Sequence, residues 1–157
     1  MANTFKNVIL ACIFTTVTCT NSAYYSKTGA SLFQAINNNN PDQVRKIIAQ
    51  GGNINYNNLH ISVLITAINC KRFRESQNEN ALHKNQKIIA MLLENGADAQ
   101  EKRSGTTPLQ EALQIEHTTF PIAQMLLDHG ANIECLTPTT KERARFLLDS
   151  GELDTLV

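Results

Sequence analysis

One phrase recurs along this chain: two bulky aliphatic residues, two further residues, then Gly. It reads Ile47-Ile48-Ala49-Gln50-Gly51, Leu92-Leu93-Glu94-Asn95-Gly96, Leu126-Leu127-Asp128-His129-Gly130 and Leu147-Leu148-Asp149-Ser150-Gly151. A unit repeated four times in 157 residues implies a stack of small modules rather than a single globule, because each unit buries its apolar face only against a neighbour. Stacks of this kind present extended surfaces to other macromolecules and rarely catalyse.

The first residues are a different kind of sequence. Lys6 is the only charge before Lys27, and from Val8 to Val17 the chain is apolar apart from Thr15 and Thr16. Small and polar residues follow, ending in Asn21-Ser22-Ala23. A positive head, a short apolar run and small residues ahead of a cut describe a secretory signal peptide. Residues 1–23 are therefore expected to be a leader cleaved after Ala23, and the protein to be secreted or periplasmic. A membrane span needs about 20 apolar residues, more than this run supplies. The alternatives are an uncleaved N-terminal segment that anchors the chain in a membrane, or a buried amphipathic helix. Cleavage removes Cys12 and Cys19, leaving Cys70 and Cys135 of the four cysteines in a compartment that permits a disulfide.

Downstream, landmarks keep fixed distances. Leu64 lies thirteen residues after Gly51, and Leu109 thirteen after Gly96. Ala follows three residues after each Leu, as Leu32…Ala35, Leu64…Ala67 and Leu109…Ala112. Thr107-Pro108 is a helix start, since Thr accepts free amide hydrogens and Pro at the first helical position has none to lose. Leu109, Ala112 and Leu113 then share one face of a short helix. Asn40-Pro41-Asp42 opens a second kind of helix, with Val44, Ile47 and Ile48 as its buried stripe and Gly51 as its left-handed stop. Small Ala35, Ala67 and Ala112 fit where neighbouring short helices approach closely. Each unit is thus a short helix, a turn, a longer helix, a Gly stop and an extended finger.

Those residues resemble the ankyrin repeat. The nearest copy is Gly105-Thr106-Thr107-Pro108-Leu109-Gln110-Glu111-Ala112-Leu113, followed by Met125-Leu126-Leu127-Asp128-His129-Gly130-Ala131-Asn132. The first unit, Leu32 to Asn55, keeps the family spacing without a gap, and the resemblance covers about residues 28–151. It implies an all-α solenoid of helix-turn-helix units with finger loops. Units are expected at about 28–57, 58–102 and 103–134, with a partial C-terminal cap at 135–157. Tetratricopeptide units lack the Gly-Ala-Asp finger.

The departures matter too. The family's usual His after the Leu is Phe33, Ile65 and Gln110 here, which implies weaker coupling between units. The second unit carries an insertion, about Lys71 to Lys84, and the third a shorter one near Glu116 to Thr119. In the last unit Thr137-Pro138 begins a helix and Thr139-Thr140-Lys141-Glu142 reads as a capping box. Phe146, Leu147 and Leu148 are expected to cover the open end of the core, with Lys141, Glu142, Arg143 and Arg145 in water.

The resemblance places the working surface on the concave side, made of finger tips and the outer face of the short helices. Asn57, Asn58, Leu59 and Ile61 in the first finger, and Lys102, Arg103, Ser104 and Thr106 in the second, fall there by position, with Asn69 and Gln114 beside them. The expected function is non-catalytic binding of a partner protein by a monomer. Three other readings stay open. One is an exported effector acting on a host or rival cell. Another is anion or small-ligand binding through the basic insertion at 71–87, which holds Lys71, Arg72, Arg74, His83, Lys84 and Lys87 against Glu75 and Glu79. The third is a structural or protective role in the cell envelope.

Zero formal net charge gives no bulk electrostatic motive for nucleic acid or a membrane surface. No phosphate loop, nucleophile elbow or HExxH pattern occurs, so no enzyme and no cofactor are expected. His60, His83, His117 and His129, with Cys70 and Cys135, show no metal-ligand spacing. Cys70 ends a short helix and Cys135 lies in a finger, so no bond between them is expected.

Overall fold

The computed structural model describes residues 28–58, 61–70, 78–115, 120–151 and 153; the expected leader lies outside them. Among the described residues are seven helices: α1 (28–37), α2 (Pro41–Ala49), α3 (Val63–Ile68), α4 (Glu79–Glu94), α5 (Pro108–Gln114), α6 (Phe120–Asp128) and α7 (Pro138–Asp149). A short antiparallel hairpin, β1 (Asn57–Asn58) with β2 (Ile61–Ser62), precedes α3, and a 3-10 turn at Ile133–Cys135 precedes α7.

Side-chain caps start the helices. Asn40 accepts from the Gln43 amide at 3.1 Å, Ser62 from Ile65 at 3.0 Å and Thr107 from Gln110 at 3.2 Å, each satisfying a donor that the first turn leaves without an intrahelical partner. Pro41 and Pro108 follow two of these caps. The Gly stops share one geometry. Gly51, Gly96 and Gly130 have φ of 78°, 88° and 87°. Each donates to the carbonyl three residues back, and the next residue reaches one residue further: Gly52 to Ile47, Ala97 to Leu92 and Ala131 to Leu126, at 2.9–3.0 Å. This is the Schellman arrangement, and only Gly adopts its left-handed residue without strain.

The helices stack in two rows. α3 packs on α5 and α5 on α7; beside them α2 packs on α4 and α4 on α6, with α3 against α4 and α5 against α6 joining the rows. One apolar cluster runs the whole length between them. It holds Leu32, Leu64 and Leu109 from the short helices and Ile47, Leu92 and Leu126 from the longer ones. Ala35, Ala67 and Ala112 are buried within it. The all-α solenoid that the resemblance implies is the observed fold, with one small hairpin added among the described residues.

Four details differ from expectation. The insertion is not wholly a loop: Asn78 caps α4, so residues 79–84 are its first turns and lengthen it to 16 residues, against nine in α2 and α6. Residues 71–77 and 116–119 lie outside the described residues. The last helix has no capping box at Thr139. It starts at Pro138 after Thr137, whose hydroxyl pairs with that of Thr140 at 2.8 Å instead of an amide. Phe146 does not cover the core but is 67% exposed, whereas Leu147 is buried. Finally, α7 extends the row of short helices yet ends in the fourth Gly phrase, so one helix closes the stack. There Leu153 donates to the Leu147 carbonyl at 3.1 Å.

Candidate interaction surface

The fingers are braced from unit to unit. The Asn55 amide donates to the Gly96 carbonyl at 3.0 Å, and its oxygen accepts from the Asp98 amide at 3.2 Å. One side chain thereby clasps the backbone of the next Gly stop. Gln100, four residues after Gly96 as Asn55 is after Gly51, lies near Gly130. On the helices, Asn69 donates to Glu111 at 2.9 Å across units, and Asn39 donates to the Ala81 carbonyl at 2.8 Å. Asn85, wholly buried on α4, donates to the last turn of α3 at the Ala67 carbonyl, 2.8 Å. Carboxamides thus tie neighbouring elements together. Spacing arguments passed over these contacts. The recurrence of a polar residue at 55, 100 and 134, each four after a phrase Gly, was the available signal.

The predicted surface residues fall into distinct settings. Asn57, Asn58 and Ile61 lie in the hairpin of the first finger, while Leu59 and His60 lie outside the described residues. The second finger closes on a tight turn. Arg103 and Thr106 exchange two backbone bonds of 2.8–2.9 Å, with Ser104 at φ 50° and Gly105 at φ 86° between them. That turn holds Lys102 and Ser104 out in solvent. Arg103 is half-buried and stands 3.5 Å from Glu101. Gln114 is exposed at the end of α5; Asn69 is half-buried and already engaged with Glu111. Below the first finger, the Tyr56 ring meets Phe33 edge-on at 5.8 Å. A Cβ on Gly29 would overlap that ring, so Gly is required there.

Little of this surface is enclosed. A dimple lined by Ala99, Gln100, Thr107, Leu109, Asn132 and Cys135 has a volume of about 10 Å³, room for one water. Among the described residues, no three of His, Cys, Asp and Glu are grouped to hold a metal. His129 sets its Nδ1 2.8 Å from the Met125 carbonyl on its own helix, and His83 is exposed on α4 beside Lys84. His117 lies outside the described residues. Glu134 pairs with Lys141, which holds its carboxyl below the usual carboxylate range by hydrogen bond and charge.

A family model for ankyrin repeats matches residues 30–137 as three copies. The chain belongs to the ankyrin repeat family. No curated protein matches it. Ankyrin repeats are generally protein–protein interaction modules and typically non-enzymatic. Among the described residues, no helix of this ankyrin repeat protein is long and apolar enough to cross a membrane.

The two cysteines among the described residues differ in access. Cys70 is buried, with its thiol 3.4 Å from the Ile36 carbonyl, whereas Cys135 is exposed in the 3-10 turn. Both are free thiols. Labelling with a maleimide under native conditions is expected to modify Cys135 within minutes and to spare Cys70 until the stack is unfolded. Equal rates at both positions would contradict the burial of Cys70 against the end of α1 at Ile36.

Proposed function

We propose that this ankyrin repeat protein is an exported, non-catalytic binding module that holds a partner protein against its fingers and short helices. The observation that carries the proposal is a division of labour along the stack. The Leu and Ala of each short helix are sealed in the core, while Lys102 and Ser104 stand exposed on the second finger and Gln114 at the end of α5. Bracing matters because a surface already held in shape loses less entropy when a partner docks. The leader-like sequence of residues 1–23 supports a secreted or periplasmic site of action, with the mature chain beginning at Tyr24 and acting as a monomer.

Affinity capture from the native compartment tests both parts. Wild-type protein is expected to retain a partner that the Asn58→Ala/Arg103→Ala/Gln114→Ala variant loses, and mass spectrometry is expected to read Tyr24 as the mature N-terminus. Equal capture by both proteins would place binding elsewhere, and a mature chain starting at Met1 would end the export proposal.

A further inference from the structure

The residue ahead of the Gly differs at each of the four stops: Gln50, Asn95, His129 and Ser150. Asn95-Gly96 is the single Asn-Gly pair in the chain. That pair is chemically reactive. The Gly main-chain nitrogen has no side chain beside it, and it can close a five-membered ring on the Asn carboxamide. Gln would need a larger ring, and His and Ser hold no carboxamide. The folded stop keeps the two groups apart. The Gly96 N–H donates to the Leu93 carbonyl at 3.0 Å, and the Asn95 carboxamide donates to the Met91 carbonyl at 2.7 Å. Ring closure needs the Gly96 nitrogen eclipsed with the Asn95 Cβ about the Cα–C bond. Asn95 has ψ 15°, so that nitrogen is almost eclipsed with the Asn95 main-chain nitrogen instead, a different corner of the tetrahedral Cα. Asn55 braces the far side, donating to the Gly96 carbonyl at 3.0 Å and accepting from the Asp98 amide at 3.2 Å. Asn95 is exposed to water, so its protection comes from geometry and not from burial.

We propose that Asn95-Gly96 is a site of spontaneous covalent modification that the helix stop holds shut and unfolding opens. In the open chain the Gly96 amide gives its proton to solvent and its nitrogen bonds to Asn95 Cγ. The Cγ–Nδ2 bond breaks, and the carboxamide nitrogen takes a proton from water and leaves as ammonia. A succinimide ring remains. Water then adds to either ring carbonyl and reopens it, which gives aspartate or its β-linked isomer. Water is the co-reactant, and nothing is oxidised or reduced. The β-linked form adds one carbon to the main chain ahead of Gly96. The bonds from Gly96 to Leu93 and from Ala97 to Leu92 then fall out of register, so the stop cannot re-form as built. The change is one-way, and it loosens the finger that carries Lys102 and Arg103. It follows from the stop alone, whichever face holds a partner.

The test incubates the full chain in mildly alkaline buffer, folded and in urea, and follows succinimide and isoaspartate by peptide mapping with mass spectrometry. In urea, Asn95 is expected to react faster than any other Asn of the chain. In the folded protein its rate is expected to fall by about thirtyfold or more, since about two net hydrogen bonds must break before the ring can close. Asn55→Ala, at an exposed position, removes the clasp on Gly96 and Asp98. It is expected to raise the folded rate about threefold to tenfold, the loss of one net hydrogen bond, and to leave the rate in urea unchanged. Asn95→Gln is expected to abolish the signal in both conditions. Chains carrying the β-linked form are expected to refold with a lower urea midpoint than unmodified chains. Equal rates in folded and unfolded protein would overturn the inference, because the stop would then hold nothing shut. A faster reaction at another Asn in urea would overturn the choice of site. A folded rate indifferent to Asn55→Ala would overturn the gate, and an unchanged midpoint in the β-linked form would overturn the one-way loss.

Discussion

Leu109→Ala and Leu126→Ala are each expected to lower stability by about 2–5 kcal/mol, the range for emptying a fully buried Leu site. Leu109 is 1% exposed and Leu126 wholly buried, on α5 and α6, which pack on each other. α5 also touches α3 and α7, and α6 touches α4, so each cavity opens at a junction of rows. Chains of this size hold a margin of about 5–15 kcal/mol. In a stack that margin is a sum over few interfaces. One substitution should therefore move the urea midpoint sharply, and a weaker stack would unfold outright. Gln114→Ala, exposed at the end of the same helix α5, is the control and should stay within about 0.5 kcal/mol. If neither Leu variant shifted the midpoint, the assignment of both to the core would be wrong.

The landmarks that predict those effects were legible because they are imposed by backbone geometry. A left-handed stop admits Gly, a helix start admits Thr-Pro, and close short helices admit Ala, so spacing alone located them. The start of α4 was not legible, since an insertion breaks the spacing and Asn78 is one Asn among many. α7 shows a different limit. Successive helical residues turn about 100°, so Phe146, Leu147 and Leu148 cannot all face one core. The buried stripe is Thr140, Ala144 and Leu147, and it leaves Phe146 outside. Reading apolar residues without their phase gave the wrong side chain, and a polar Thr in the stripe hid the right phase. In the candidate surface, position along the repeat placed Gln114 and Lys102 correctly in solvent. It did not reveal that Asn69 is engaged with Glu111, because hydrogen bonds between units depend on rotamers rather than on spacing.

Gly52→Ala is expected to destabilise the protein by about 1–3 kcal/mol, as overpacking does, although the same residue fits the other units. A Cβ on Gly52 would stand 2.7 Å from Ile47 Cγ2 and 2.8 Å from the Ile47 carbonyl oxygen. The corresponding pairs further along are Ala97 with Leu92 and Ala131 with Leu126, bonded through the same backbone contact at 2.9–3.0 Å. The difference is the branch at Ile47. Its Cγ2 fills the space in which Leu, branched one carbon later, leaves room for an Ala methyl. The two positions are therefore coupled, and Ile47→Leu should relieve the clash. Ile47→Leu alone conserves volume and should cost less than about 1.5 kcal/mol. The double variant Ile47→Leu/Gly52→Ala should recover most of the stability that Gly52→Ala loses, with the approach to the Ile47 carbonyl oxygen left for a small shift of the turn to relieve. Urea titration of the four proteins gives the coupling energy directly. Simple additivity of the two single effects would show that the clash is absorbed by the Ile47 carbonyl and its turn, and that the side-chain branch has no part in choosing Gly at this stop.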